Sequence, residues 1–351
     1  MYPAARQARH HRQEPGCTRT ADSWKKQLTG AIRSGRELLE RLALHDHIEA
    51  VTAQPDFSCL VTENYLGKME TGNIDDPLLR QVLPLQTENH AQAQLAGVND
   101  PVGDLAAQVA PGLLHKYHGR VLLITTGACA IHCRYCFRRL YPYAQQQVTE
   151  NRLASIIDYL GQHPEVDEVI LSGGDPLVLD NEKLRALVTQ LQSLEQLQTL
   201  RIHTRLPVVL PARIDSELIE LLQTAGLKHG LQTVIVIHAN HANELQHEEQ
   251  RALQRLHAAG ITLLNQSVLL RGINDSVETL VDLSKRLLQC NTLPYYLHLL
   301  DPVRGAMHFN VSEKEALQLQ LELEQKLPGY LLPKLVRETA GKHAKTAIFR
   351  I

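Results

Sequence analysis

The sequence predicts an α/β fold on parallel strands, and two observations carry that prediction. Six short apolar runs rich in β-branched residues follow one another between residues 121 and 300: VLLITT, EVILSG, LRIHT, LQTVIVI, ITLLNQSV and YYLHLL. Stretches with helical spacing separate them. Strands buried on both faces read as such continuous runs, and β-then-α alternation implies right-handed crossovers. Periodicity leaves open whether the six units curl into a partial barrel or lie as an open doubly wound sheet. Either arrangement presents reactive groups at the carboxyl ends of the strands.

Taken in order, residues 1–24 are rich in Arg, His and Gln without periodicity and read as a disordered tail. Residues 25–112 read as a mainly helical extension, with apolar residues at helical spacing from Ile32 to Leu44 and then loops of Gly, Asn, Asp and Pro. Residues 113–308 form the expected core. Within it Leu153, Ile156, Ile157 and Leu160 mark a helix after Thr149, and Leu218, Ile219 and Leu222 mark another behind a cap at Asp215. In residues 309–351, Ser312 and Glu315 form a capping box for a helix reaching about Lys326, although Leu317, Leu319, Leu321 and Leu323 alternate as in a strand. Pro328 and Gly329 end it, leaving a final strand and tail.

Composition excludes several classes of function. Hydrophobic residues make up 44% and charged residues 21% of the 351, with a formal net charge of -2, so no nucleic-acid or anionic-membrane surface is indicated. No apolar run approaches the roughly 18 residues a bilayer span needs, and the basic start lacks an apolar stretch behind it. A cytoplasmic protein is expected. Of six cysteines, Cys17, Cys59 and Cys290 stand alone, whereas Cys129, Cys133 and Cys136 crowd into one loop. That distribution fits a reducing compartment and a metal site better than three disulfides.

The loop TTGACAIHCRYCFRR follows the first core strand, with spacing C-x3-C-x2-C. Three thiolates can hold three irons of a [4Fe-4S] cube and leave the fourth open for catalysis. Structural zinc is the alternative, but it wants four ligands, and no partner C-x2-C pair exists elsewhere. A second feature, SGGDP (Ser172, Gly173, Gly174, Asp175, Pro176), closes the second core strand, where glycines allow close backbone approach.

The cysteine spacing, with Tyr135 before the last cysteine, resembles the signature of the radical S-adenosylmethionine (SAM) superfamily, and SGGDP is similar to its GGE-like segment beside SAM. The likeness extends to lysine 2,3-aminomutase through HKYHGRVLLITTGACAIHCRYCFRR, RIHTRLPVVLPARI, HANHANE, LLNQSVLLRGIND, PYYLHLLD and GKHAKT, from roughly Gly67 onward. It implies a partial (β/α)6 barrel with an N-terminal extension and a short C-terminal segment that binds pyridoxal 5'-phosphate (PLP). Because the sequence ends six residues after Lys345, it is most similar to the short form that makes β-lysine for elongation factor P; longer fermentation forms carry a further segment.

The resemblance assigns roles residue by residue. Cys129, Cys133 and Cys136 would hold a [4Fe-4S] cluster, and Ser172, Gly173, Gly174 and Asp175 would lie along SAM. Lys345 would bind PLP as the amine that substrate displaces, with Lys342 the neighbouring alternative; Lys342, His343 and Ala344 stand where the family usually has glycines. Lys116, Tyr117 and Arg120 match a stretch near PLP, with Lys116 replacing an arginine. Arg138 would clamp the substrate α-carboxylate. Asp301 and Glu338 would face its distal ammonium, Glu338 in place of an aspartate. The implied reaction converts L-lysine to β-lysine, of (R) configuration in the short form, with an elongation factor P lysyl-ligase and elongation factor P downstream and a flavodoxin or ferredoxin as reductant. Alternatives are a glutamate or other aminomutase, supply of free β-lysine, and a noncatalytic metal-binding adaptor. The sequence holds 18 histidines, so pairs such as His238 and His241 are given no metal role.

Overall fold

The computed structural model describes residues 22–52, 57–89 and 97–349. The expected tail lies outside these residues up to position 21. From Asp22 the chain is helical, in α1 (Asp22–Thr29) and α2 (Gly35–Arg41), and then runs through short turns. Ser34 accepts a hydrogen bond from the Glu37 amide and so satisfies one of the open donors that begin α2. Trp24, Ile32, Leu38, Leu39, Tyr65 and Leu79 from this lead-in join the same apolar cluster as the barrel strands, so extension and core share one interior.

Ten strands form a single sheet in sequence order: β1 (Gln108–Ala110), β2 (Leu113–Tyr117), β3 (Arg120–Thr126), β4 (Glu168–Gly173), β5 (Thr199–Thr204), β6 (Gln232–His238), β7 (Thr262–Val268), β8 (Leu293–His298), β9 (Lys334–Arg337) and β10 (Thr346–Ala347). The pairings from β3 to β9 are parallel, and those of β1–β2, β2–β3 and β9–β10 are antiparallel. The six expected core strands are β3 to β8. Between and after them run α3 (Glu150–Gly161), α4 (Asn181–Leu191), α5 (Ser216–His229), α6 (His247–Ala258), α7 (Val277–Gln289) and α8 (Glu313–Lys326). The strands bury Leu123, Leu171, Ile202, Ile235 and Leu263, and the helices bury Ile156, Leu187, Leu222 and Leu253 against them. Each such side chain contributes about 1.5–3 kcal/mol by leaving water.

Sequence signals set the helix ends. Asp215 caps α5, and Ser312 with Glu315 makes the capping box of α8. The alternating leucines of α8 do not form a strand, because the capping box starts a helix there and Ala316 and Leu323 then pack over β8 and β9. Three strands lie outside the expected pattern. The hairpin β1–β2 precedes Arg120, and its residues Leu113 to Tyr117 are apolar at one end and polar at the other, which hides them from a periodicity reading. The terminal β10 is two residues long and exposed.

Candidate active site

A single cavity opens at the carboxyl ends of the strands, as parallel α/β architecture requires. The loop after β3 brings Cys129, Cys133 and Cys136 to its wall. Burial pushes the Cys129 thiol up and the Cys136 thiol to about 11, so both would stay protonated until metal ions displaced the protons. The Cys133 Sγ accepts a hydrogen bond from Arg205 Nη1 at 2.6 Å. Among the described residues no three His, Cys, Asp or Glu groups gather as a single ion needs. Three thiols spread along a loop around one cavity fit a four-iron cube, whose cysteines each take a different iron.

The end of β4 is fastened to this loop. Gly174 N donates to Thr126 O at 2.7 Å and Asp175 N to Ala128 O at 2.8 Å. A Cβ on Gly173 would overlap the Thr126 carbonyl and one on Gly174 the Ala128 carbonyl, and Gly173 also has φ +127°, so both glycines are required by the packing. Their backbone lines the cavity. The Asp175 carboxylate faces the other way: Oδ1 accepts from Thr204 Oγ1 at 2.7 Å and Leu177 N at 3.1 Å, and Oδ2 accepts from Arg205 N at 2.7 Å. The carboxylate of Asp175 therefore fixes the start of the loop after β5, while the residue also lines the cavity.

The opposite wall is built from β2, the end of β8 and the C-terminal edge. Lys345 reaches the cavity, where its ammonium meets the Glu338 carboxylate and lies 5.8 Å from the centre of the Tyr296 ring. Glu338 also accepts from Lys116 Nζ at 3.2 Å and Tyr117 OH at 3.0 Å. Burial alone would raise its carboxyl, but Lys345 and Lys116 hold it at about 2. Arg120 lies over the Tyr117 ring at 4.8 Å. An amine beside two further cations suits a phosphorylated aldehyde, so these residues fit PLP. Lys342 is exposed and lies outside the cavity lining.

Lys116 is not a free cation here. It also contacts Asp104 at 2.6 Å and Val102 O at 2.8 Å. Asp104, in turn, accepts from Arg138 Nε at 2.6 Å, and Arg138 Nη1 donates to Ser172 Oγ at 2.9 Å. These contacts use two of the five N–H donors of the guanidinium and leave three for a carboxylate ligand. Asp301, just past β8, differs from all of these. Its Oδ1 is shut off from solvent and has no hydrogen-bond partner. Burial, reinforced by the Glu338 charge, pushes its carboxyl up to about 7.

The structure thus brings these expected site residues to the lining of one cavity: the three cysteines, the β4 glycines with Ser172, Arg138, Lys116, Tyr117, Arg120, Asp301, Glu338 and Lys345. Sequence reasoning missed Asp104 and Arg205, whose partners lie 34 and 72 positions away. It also missed the cavity-lining His203 and His298; these and His238, which the sequence reading named without a metal role, are kept neutral by burial.

Comparison with known proteins gives a consistent picture. Residues 123–284 match the Radical SAM superfamily. The chain is 43% identical over 334 residues to an L-lysine 2,3-aminomutase of Escherichia coli (strain K12), covering 94% of this chain and 96% of that one. It is 44% identical over 336 residues to one of Haemophilus influenzae, covering 95% and 97%. To one of Clostridium subterminale it is 33% identical over 330 residues, covering 93% and 78%.

Proposed function

We propose, from the premise that the chain belongs to the L-lysine 2,3-aminomutase family of radical SAM proteins, that it moves the α-amino group of L-lysine to C3 and releases β-lysine. The observation that carries this reading is the unpaired Asp301 Oδ1 on the cavity that also holds Arg138. A carboxylate without a partner in a closed site seeks a cation, and a guanidinium with open donors seeks a carboxylate. Asp301 follows β8 and Arg138 follows β3, five strands apart in the sheet, and both line the same cavity. An α-amino acid with a distal ammonium satisfies both.

Each residue then has a role in binding and placement. Cys129, Cys133 and Cys136 would hold a [4Fe-4S] cluster, with Ser172 and the backbone of Gly173, Gly174 and Asp175 along SAM. Lys345 would bind PLP and yield its place to the substrate amine, while Lys116, Tyr117 and Arg120 would lie toward the phosphate. When bound, the cluster and SAM supply hydrogen-atom abstraction, and PLP supplies the π acceptor for the moving nitrogen. Arg138, Asp301 and Glu338 fix both ends of the substrate so that C3 alone comes within reach. Entry of the lysine ammonium also favours ionised Asp301, because a nearby cation lowers its pKa.

The finer assignments are the (R) configuration of the product, its transfer to elongation factor P by a lysyl-ligase, and a flavodoxin or ferredoxin donor. They rest on the sequence likeness to the short form of the family. No described helix is long and apolar enough to cross a membrane.

The test is anaerobic reconstitution with iron, sulfide and PLP, then incubation with SAM, dithionite and lysine or glutamate in turn. We expect (R)-β-lysine from lysine and no product from glutamate. Lys345→Ala should lose the PLP absorption and turnover while keeping iron-sulfur absorption. Turnover of glutamate in place of lysine, or one zinc per chain with no sulfide, would refute the proposal.

A further inference from the structure

Behind the cysteine loop lies a set of buried polar side chains that the steps above do not use. Arg205, the first residue after β5, is 6% exposed and gives Nη1 to Cys133 Sγ at 2.6 Å. Its Nη2 donates to Glu244 Oε2 at 2.7 Å, Gln81 Oε1 at 2.7 Å and Tyr65 OH at 3.3 Å. The Asp175 carboxylate holds its backbone amide, and the guanidinium lies over the rings of Tyr65 and Tyr135 at 5.5 and 5.9 Å. Glu244, which is fully buried, is further tied to Gln81 Nε2 and to the amides of Asn240 and His241. A buried cation fixed at so many points cannot swing away. One of its N–H groups is committed to the sulfur of an iron ligand.

We infer that Arg205 is a positioning residue that sets the reduction potential of the cluster through its hydrogen bond to Cys133, with Glu244 as the counterweight to its charge. The inference rests on the cluster assignment proposed above. Reduction by one electron from an external low-potential donor adds negative charge beside Cys133. Hydrogen bonds to cluster sulfurs and nearby charge are among the means by which a protein tunes such a potential. A fixed cation favours the reduced state and raises the potential, and a fixed carboxylate behind it opposes this. A paired Arg205 and Glu244 would therefore keep the potential low enough for the cluster to pass its electron on to SAM. The same pair avoids leaving either charge alone in the interior.

The experiment is a reductive titration of the reconstituted holoenzyme followed by electron paramagnetic resonance, with iron and sulfide counted in parallel. Arg205→Gln should lower the potential and Glu244→Gln should raise it. Each shift should change the reduced fraction about tenfold at fixed dithionite, about 59 mV for a one-electron couple. Arg205→Lys retains the charge but not the fork, and should fall between wild type and Arg205→Gln; it decides the matter if either glutamine variant cannot hold a cluster. Unmoved potentials, or shifts of one sign in both glutamine variants, would overturn the inference, as would a change confined to SAM affinity. Wild-type protein that binds no iron and sulfide would instead overturn the cluster assignment.

Discussion

The two walls of the cavity satisfy their charges differently. Behind the cysteine loop, Arg205, Glu244, Gln81, Tyr65, Tyr135 and Asn240 are buried and mutually bonded. On the far wall, Lys345, Glu338, Lys116, Asp104 and Arg138 form a chain of ion pairs, and Asp301 Oδ1 remains without a partner. The first wall is densely paired, although the buried Arg205 Nε has no hydrogen-bond partner, and it gains rigidity from that pairing. On the proposed function the second exchanges partners: Lys345 would leave Glu338 to take PLP, and Arg138 and Asp301 would accept a substrate that comes and goes. Polar groups left open at that wall cost stability before the ligand arrives, and binding recovers it.

The largest expected effect breaks the first wall outright. Cys136→Ala removes one of the three proposed iron ligands, so the reconstituted variant should lose cluster absorption and all measurable turnover. A variant with full iron and sulfide content would show that the loop is not the ligand set.

Next comes a pair of substitutions that should move stability in opposite directions. Glu244→Gln leaves Arg205 as an unbalanced buried cation and should destabilise the protein by about 3–5 kcal/mol in denaturant unfolding. Asp301→Asn removes an unpaired carboxylate and should stabilise the ligand-free protein at pH 8 by about 2 kcal/mol. The same change should raise KM for lysine, lowering kcat/KM by roughly 100-fold, because the distal ammonium loses a charged partner. The pH dependence has a definite sign. Burial raises the Asp301 carboxyl from 3.8 in the unfolded chain to about 7 in the fold. Between those values the folded state holds a proton that the unfolded chain has released, so this group's penalty is absent below about 3.8, grows as pH rises from there, and is complete above about 7. Wild type minus Asp301→Asn should show that trend in urea midpoints. A flat difference would mean that Asp301 already has a partner in solution.

Legibility followed the same division. The six core strands could be read from sequence because each is a continuous apolar run, and the cysteine loop because its ligands are adjacent in the chain. Asp301 and Lys345 carried no local signal of their own and were found by resemblance of PYYLHLLD and GKHAKT to a family. Asp104 had neither kind of signal, and Arg205, although it lies in RIHTRLPVVLPARI, was given no role by that likeness, since each is defined by contacts that exist only once β3, β5 and the lead-in have assembled. The Asp175 side chain carries information that the motif does not. SGGDP is expected to lie along SAM, and within it the Asp175 carboxylate is bonded to Thr204 and Arg205. A motif fixes which segment meets a ligand more firmly than which atoms do.

The smallest expected effect tests whether the two walls share one stability. Ser312 caps α8, accepting from Glu315 N at 3.3 Å and donating to Glu315 Oε2 at 2.6 Å. Helix α8 packs through Ala316 and Leu323 into an apolar cluster that also holds Leu335 and Val311, apart from the main core. Strand β9, beside it, runs directly into Glu338. Ser312→Ala should cost about 1 kcal/mol in urea unfolding, and no residue of α8 lines the cavity, so kcat should be unchanged. If the C-terminal edge opened as a separate unit, the loss would instead surface as faster hydrogen exchange in β9 and β10 and weaker PLP retention, with the exchange of β3 to β7 untouched. Uniform loss across all strands would place both walls in one cooperative unit, and the exchangeable ion pairs of the far wall would then owe their freedom to local chemistry alone.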